Sequence, residues 1–258
     1  MASTYSDDLQ LEIMTTGEKA GLWGSITNDN LKILELAASG YYTVSIAAGD
    51  LTLNLDNGSA LGDSTATGKN LMIEVTGTLA ASRSITMPTG AERIFIVKDS
   101  TVRGTSNFTI GVSNVGGSGA GIIPLPVGAT AAFYTDGTGS NAMKLLGILK
   151  EGYVTVTNGS NSPYTAVNGD VVMGVTNSSG GGTIQVTLPA TPSAGDEVTI
   201  MDTSSTGGFA SNKCIVDRNG TNILGAASNV DLTANNQAVT LIYTSNATKG
   251  WIYKTNTG

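Results

Sequence analysis

From Tyr41 onward the sequence consists of short runs in which apolar and polar residues alternate, and each run ends at Gly, Asn or Asp. Examples are YYTVSIA, RIFIVKD and DVVMGVT. A period of two places successive side chains on opposite faces of an extended chain, so each run predicts a half-buried β-strand. Pairs that favour tight turns separate several runs: Asn57-Gly58, Asp136-Gly137, Asn158-Gly159, Asn168-Gly169 and Asn219-Gly220. We therefore expect an all-β protein built from antiparallel hairpins.

Two stretches of the chain repeat one order of strands. In each stretch a strand ends in Pro, the next ends in Asp, and a late strand carries Tyr. The matching positions are Pro88 with Pro189, Asp99 with Asp202, and Phe133-Tyr134 with Ile242-Tyr243. Two copies are fewer than the three or so repeats that a solenoid needs. We predict two tandem antiparallel β-sandwich or barrel-like modules, residues 41–150 and 151–258, after a distinct N-terminal segment of residues 1–40.

The end of the N-terminal segment has a helical pattern. Apolar residues recur there at helical spacing: Leu31, Leu34 and Ala38. Asn28 or Asn30 is suited to cap the start of this helix, and Gly40 to end it. The spacing predicts one short helix of about two to three turns.

The remainder of the N-terminal segment has too few apolar residues for a core of its own, since chains below about 40 residues rarely fold alone. Leu9, Leu11 and Ile13 alternate as in a strand, and Trp23 stands between Gly21 and Gly24. Small neighbours let a large ring lie against another surface. That surface is either the chain's own β-module and helix or a neighbouring protein. The candidate docking residues are Leu9, Leu11, Ile13, Trp23, Leu31 and Leu34.

Composition excludes several classes of activity. The chain has no His, which removes His-assisted triads and imidazole-ligated zinc. A net charge of −7 without a basic run argues against binding to nucleic-acid phosphates. No apolar stretch has the roughly 18 to 20 residues of a membrane span, so we expect no membrane insertion. The start MASTYSDDLQ lacks the features of a secretory signal, which predicts synthesis in a cytoplasm.

The remaining candidate residues favour structural roles. Asp99 and Asp202 follow apolar strands and precede Ser or Thr, which favours local Asx-turns over a pair of catalytic carboxylates. A further acidic group lacks the spacing of a calcium loop: Asp50, Asp56 and Asp63. We expect Cys214 to be a buried apolar filler, and Trp251 to lie in the core or in a trimer interface. The sequence thus predicts no enzyme, cofactor or metal.

Three short motifs stand in order near the N-terminus: Thr16-Gly17-Glu18, Gly21-Leu22-Trp23-Gly24 and Asn28-Asp29-Asn30-Leu31. This tract resembles one found at the start of many tailed-bacteriophage virion proteins. The stretch GGTIQVTLPATPSAGDEVTIMDTSS resembles the β-modules of phage tail fibres and related appendages. The resemblance implies a virion structural protein, and a homotrimer, because such fibres are usually trimeric.

Together these features predict a non-enzymatic component of a phage particle, made in the host cytoplasm and located in the virion. We expect a short tail fibre or adaptor that docks through its N-terminus on other virion proteins of the tail, neck or capsid. Its β-modules would project outward, with a host surface glycan as a further candidate partner. The alternative is a capsid decoration or head-fibre protein. A polysaccharide-degrading tailspike would need long parallel β-helix coils and a carboxylate-lined groove, which the short hairpin strands do not predict.

Overall fold

The computed structural model describes residues 4–56, 67–103, 107–114, 121–139, 142–176 and 182–257. The turn predicted at Asn57 and the carboxylate of Asp63 lie outside these residues. The chain divides into two compact units. Unit 1 comprises Met1–Val102, Phe108–Leu125 and Thr130–Leu149, and unit 2 comprises Arg103–Asn107, Pro126–Ala129 and Lys150–Gly258. Most of the regular structure is β, which confirms the all-β prediction at this level.

Unit 1 begins with a small hairpin and one long helix, followed by nine strands. Its elements are β1 (Thr4–Tyr5), β2 (Glu12–Ile13), α1 (Trp23–Ser39), β3 (Tyr41–Ser45), β4 (Leu51–Thr52), a 3-10 helix (Thr67–Lys69), β5 (Met72–Thr78), β6 (Arg83–Thr86), β7 (Glu92–Val102), β8 (Ile110–Ser113), β9 (Ile123–Leu125), β10 (Thr130–Asp136) and β11 (Met143–Lys150). No described helix is both long and apolar enough to cross a membrane.

The strands of unit 1 alternate between two sheets. One sheet has the order β11-β10-β7-β5-β3 and the other has the order β4-β6-β8-β9. Strands β3, β5 and β7 pair in parallel, as do β4, β6 and β8. The chain therefore winds as coils, each contributing one strand to each sheet. The antiparallel strands β9 and β10 then pair with β8 and β7 and close the winding.

Unit 2 repeats this topology. Its elements are β12 (Val154–Thr157), β13 (Tyr164–Thr165), β14 (Asp170–Val175), β15 (Ile184–Thr187), β16 (Glu197–Asp202), α2 (Gly208–Ser211), β17 (Cys214–Asp217), β18 (Val230–Leu232), β19 (Ala238–Tyr243) and β20 (Trp251–Thr257). The sheet orders are β12-β14-β16-β19-β20 and β13-β15-β17-β18. Strands β12, β14 and β16 are parallel, and so are β13, β15 and β17.

The duplication inferred from sequence is visible in the strand register. Asp99 on β7 pairs with Val75, and Asp202 on the equivalent strand β16 pairs with Gly174. The late-strand alignment is wrong by one residue, because the register matches Phe133 with Leu241. In a strand, a shift of one residue exchanges the two faces. Phe133 and Leu241 both point into the core, as the common register requires.

The prediction of antiparallel sandwich or barrel modules is wrong in its pairing, and the winding is that of a β-solenoid. Alternation of side chains is the same in parallel and antiparallel strands, so it did not distinguish them. The prediction that each turn pair closes a hairpin is also wrong at one position. Asn168-Gly169 does not close a hairpin but carries the chain from β13 in one sheet to β14 in the other. Because the structure contains parallel coils, the sequence-based argument that a tailspike would need them no longer counts against that alternative.

Buried side chains from both sheets form the core of unit 2. Trp251 is fully buried there, donates its Nε1–H to Thr221 Oγ1 at 3.0 Å, and lies 5.4 Å from the Tyr243 ring. The core location, one of the two predicted for Trp251, is confirmed. In unit 1 the buried rings of Phe95 and Phe133 stack at 5.7 Å across β7 and β10.

Candidate docking surface

Helix α1 is longer than predicted and runs from Trp23 to Ser39. The predicted end is confirmed, since the Gly40 N–H donates to Leu36 O at 2.8 Å. The predicted caps are wrong, because Asn28 and Asn30 lie inside the helix. The early start was missed because Gly24 and the β-branched residues after it weaken the helical signal.

One side of α1 rests on unit 1. Ile33 is fully buried, and the carbonyl of Leu36 accepts a hydrogen bond from Leu71 N at 3.0 Å. At Gly40 the chain passes close to the helix and the 3-10 segment. A Cβ added at Gly40 would lie 2.5 Å from Leu36 O and 2.6 Å from Asn70 Oδ1. The chain's own β-module therefore completes one face of the helix.

Buried cations support the 3-10 segment near this helix. The Arg93 guanidinium donates to the backbone carbonyls of Gly68, Lys69 and Asn70. Burial lowers the pKa of Arg93 to about 10 and that of Lys69 to about 8. The Lys69 ammonium donates to the carbonyl of Asp56. These contacts satisfy carbonyls that would otherwise be buried without donors.

Asn30 joins the N-terminal hairpin to the helix. Its side-chain Oδ1 accepts from Glu12 N at 2.9 Å, and its Nδ2 donates to Glu12 O at 2.9 Å. The amide thus pairs with β2 as a neighbouring strand would. An ion pair between Lys19 Nζ and Glu12 Oε1 at 2.7 Å also links the segment before α1 to β2. This bond is the main cause of the raised pKa of Lys19.

The other side of α1 carries exposed apolar residues. Trp23 is 64% exposed, Leu31 58% and Leu34 45%. With 3.6 residues per turn, these side chains leave the helix within an arc of about 80°, which also includes Thr27 and Ala38. We call Trp23, Leu31, Leu34 and Ala38 the apolar stripe.

Polar groups do little to interrupt the apolar stripe. The Thr27 hydroxyl lies within the arc but donates to Trp23 O at 2.8 Å, so it is already satisfied. Glu35 and Lys32 project at about 120° and 180° from Trp23, outside the arc. A stripe of this kind buries apolar area against a partner without stripping charges of water.

The other predicted docking residues divide into two groups. Leu9 lies in a turn, and Leu9 and Leu11 are only half-buried against the chain. The predicted strand from Leu9 to Ile13 is limited to Glu12–Ile13, which pairs with Thr4–Tyr5. Ile13 is 54% exposed and follows directly on the residue that pairs with Asn30. The high exposure of Trp23 argues against the alternative that it packs on its own helix.

The candidate carboxylates are engaged in turns. Asp99 Oδ1 accepts from Thr101 N at 2.9 Å and from Thr101 Oγ1 at 2.6 Å, which confirms the Asx-turn. Asp202 accepts from Ser204 N at 3.0 Å and from Phe209 N at 3.0 Å. Burial works against the charge of Asp202, but hydrogen bonds led by that of Ser204 outweigh it and lower its pKa.

Cys214 is fully buried beside Val216 on the core face, as predicted, and burial raises its pKa to about 12. A thiol of that kind is protonated and unreactive at neutral pH. Asp50 accepts from Ser84 N at 2.8 Å. Within the described residues, no group of three or more potential metal ligands occurs.

A polar network on the outer face of the five-stranded sheet of unit 1 was not predicted. Glu74 lies at its centre and accepts from Tyr41 OH at 2.6 Å, from Ser100 Oγ at 2.6 Å and from Lys98 Nζ at 2.8 Å. These bonds, the Lys98 bond foremost, lower the pKa of Glu74 to about 2. The residues lie on three neighbouring strands, so nothing in the sequence brings them together.

Comparisons with known proteins identify no family for this chain. No protein-family model matches the chain, and no curated protein matches it either. A solved structure of a chaperone-substrate complex is similar over 83% of this chain at 17% identity, with a TM-score of 0.36. The match covers 32% of that structure's chain, so this chain spans about a third of its length. A similarity this low carries no argument about fold or function.

Proposed function

We propose that this protein is a non-enzymatic structural component of a phage particle, a short fibre or adaptor that docks through α1. The observation that carries the proposal is the apolar stripe. It lies in the same N-terminal tract whose three motifs resemble the start of phage virion proteins. The two β-units are then the displayed part, with a host surface as their candidate target.

The helix has two apolar faces, and this distinguishes a docking device from a simple packing element. Ile33 is used by the chain's own unit 1, whereas Trp23, Leu31 and Leu34 remain exposed. A helix that only completed its own module would need one buried face with polar residues opposite. The second face therefore supports an external partner, which we take to be a virion protein with an apolar groove.

Incorporation into particles tests this proposal. Leu31→Ser combined with Leu34→Ser makes two of the four residues of the apolar stripe polar without touching the buried face. Deleting residues 1–40 is a poorer test, because it also removes the buried Ile33. A matched control is Lys32→Ser, an exposed change on the same helix that points away from the stripe. Purified particles are probed for the chain after infection in the presence of each variant.

We expect the double variant to fold normally by circular dichroism and to be depleted from particles, while Lys32→Ser is incorporated like the wild type. Normal incorporation of the double variant would refute docking through α1. It would move attachment to the β-units and favour the capsid-decoration or head-fibre alternative, which needs a broader base.

A further inference from the structure

Three Asn-Gly pairs lie in the described part of unit 2: Asn158-Gly159, Asn168-Gly169 and Asn219-Gly220. In such a pair the backbone nitrogen of Gly can attack the side-chain carbonyl carbon of Asn, because Gly has no side chain to hinder the approach. The dipeptide alone would make the three pairs about equally reactive. A fourth pair, Asn57-Gly58, lies outside the described residues.

The pair Asn168-Gly169 is held at both reacting groups. Asn168 Oδ1 accepts from Glu197 N at 2.9 Å, and Gly169 N donates to Glu197 O at 2.8 Å. The attack requires the carboxamide to turn towards the Gly nitrogen, so both bonds to Glu197 must break first. These two bonds therefore slow the reaction at Asn168.

The pair Asn219-Gly220 is held at one reacting group. Asn219 Nδ2 donates to Leu188 O at 2.9 Å, which fixes the carboxamide. The turn is closed by a bond from Thr221 N to Arg218 O at 3.0 Å. No described residue accepts a hydrogen bond from Gly220 N. The reaction at Asn219 is thus slowed by the loss of a single bond to the carboxamide.

The pair Asn158-Gly159 is held at neither group. Among the residues that the structure describes, none bonds to the Asn158 carboxamide or to Gly159 N. The carboxamide lies beside Gly182, which has no side chain to hold it. Gly159 and Ser160 are exposed, and the bond that closes the turn, from Ser160 N to Thr157 O, is long at 3.2 Å. An exposed tip of this kind opens at little cost in free energy.

Asn161 holds the base of the same loop. Its Oδ1 accepts from Thr157 N at 2.9 Å, and its Nδ2 donates to Thr155 O at 2.8 Å. Both bonds lie outside the reacting pair and anchor the chain to β12. A chemical change at the tip therefore leaves these contacts of β12 in place.

We infer that Asn158 is a site of spontaneous deamidation in the folded protein, that Asn168 and Asn219 are protected by their hydrogen bonds, and that unit 2 tolerates the change. Gly159 N loses its proton to the solvent and forms a bond to Asn158 Cγ, the Cγ–Nδ2 bond breaks, and the nitrogen leaves as ammonia. Water then opens the cyclic succinimide at either carbonyl and yields aspartate or isoaspartate. Water is consumed, ammonia is released, and nothing is oxidised or reduced.

The modification changes the tip in two ways. Either product carries a negative charge where Asn158 was neutral. Isoaspartate also adds a methylene group to the backbone between Asn158 and Gly159. Neither change involves α1, so this inference does not depend on the proposed function.

Peptide mapping by mass spectrometry measures the reaction at each pair in the purified full chain. The chain is incubated at neutral and at mildly alkaline pH, and each peptide is followed for the mass gain of replacing an amide by an acid. Electron-transfer fragmentation separates isoaspartate from aspartate. The matched control is the same chain in guanidinium chloride, which removes the tertiary bonds. Asn158→Gln keeps a carboxamide but would need a larger ring, so it identifies the reacting residue.

In the folded chain we expect Asn158 to react fastest, Asn219 about tenfold more slowly and Asn168 about a hundredfold more slowly, because about 1.4 kcal/mol for each bond that must open is a factor of about ten. In guanidinium chloride the three rates should become similar. The rate at Asn158 should rise with pH, since the attacking nitrogen must lose its proton. Asn158→Gln should abolish the mass gain in its own peptide alone. The aged chain should unfold at the same denaturant concentration as the fresh chain.

The inference is overturned if Asn168 or Asn219 reacts as fast as Asn158 in the folded chain. It is also overturned if the same order persists in guanidinium chloride, because the sequence and not the structure would then set the rates. A loss of stability that grows with the deamidated fraction would overturn the tolerance of unit 2. None of these results bears on docking, which is measured by particle incorporation of the stripe variants.

Discussion

Replacement of Asp170 by Leu should destabilise unit 2, although unit 1 has Leu71 at the equivalent position. Asp170 is 2% exposed, and its carboxylate accepts from Tyr164 OH at 2.8 Å, Val167 N at 2.8 Å and Val127 N at 3.4 Å. The carboxylate is thus the shared acceptor for donors that have no water to replace it. The equivalent position is thus apolar in unit 1 and acidic in unit 2.

The magnitude follows from the two short bonds. Each donor left without an acceptor costs about 1 to 3 kcal/mol, so two cost about 2 to 6 kcal/mol. The buried Leu recovers about 1.5 to 3 kcal/mol of apolar transfer free energy. Taking the middle of both ranges, we expect Asp170→Leu to lower the free energy of unfolding by about 2 kcal/mol. Asp231→Leu, at an exposed ion pair with Lys213, should change it by less than about 1 kcal/mol.

Urea unfolding measures this directly. In a Trp23→Phe background the fluorescence comes from Trp251, which lies in the core of unit 2.

Burial also raises the pKa of Asp170. A raised folded-state pKa gives stability that is full below the unfolded value of about 4 and is lost as the pH rises through the folded value. The destabilisation by Asp170→Asn should thus be largest near pH 4 and shrink at higher pH. An Asp170→Leu chain as stable as the wild type would refute the reasoning.

Three further predictions concern the docking helix and assembly. Trp23→Ala should leave thermal stability within about 0.5 kcal/mol, because the ring is exposed, yet weaken particle binding by about 2 kcal/mol, measured by competition with the wild-type chain during assembly. Gly40→Ala should loosen α1, because its Cβ would meet Leu36 O and Asn70 Oδ1, and hydrogen exchange should then increase in the helix while Lys32→Ala leaves it unchanged. Light scattering should give three times the 26.2-kDa mass of the chain, and a stable monomer at micromolar concentration would contradict the trimer.

The strands were predictable because alternation is a local property of the sequence. The runs YYTVSIA and DVVMGVT contain β3 and β14. The equivalence of Asp99 and Asp202 in the two units also followed from the local order of the sequence. Parallel winding was not predictable, since the path of a connection depends on where its two ends pack. The turn at Asn168-Gly169 has the composition of a hairpin but serves as a crossover.

The helix shows the same division between local and tertiary information. Spacing correctly placed Leu31 and Leu34 on one face, but it could not say that unit 1 would cover Ile33 and leave that face exposed. Asn30 looked like a cap because its side chain is polar, whereas the fold uses it to pair with Glu12. Gly111 within β8 was a signal of close approach that sequence reasoning did not use, since a Cβ added there would lie 2.3 Å from Ile122 Cγ2.

The central claim is that this chain is part of a phage particle and is attached by α1. Mass spectrometry of purified particles after chemical cross-linking tests it most directly. The account predicts that the chain is present and that its cross-links to another virion protein come from Lys19, which precedes α1, and Lys32, which lies within it. Absence of the chain from particles would contradict the account, and so would cross-links to virion proteins that arise only from lysines of unit 2.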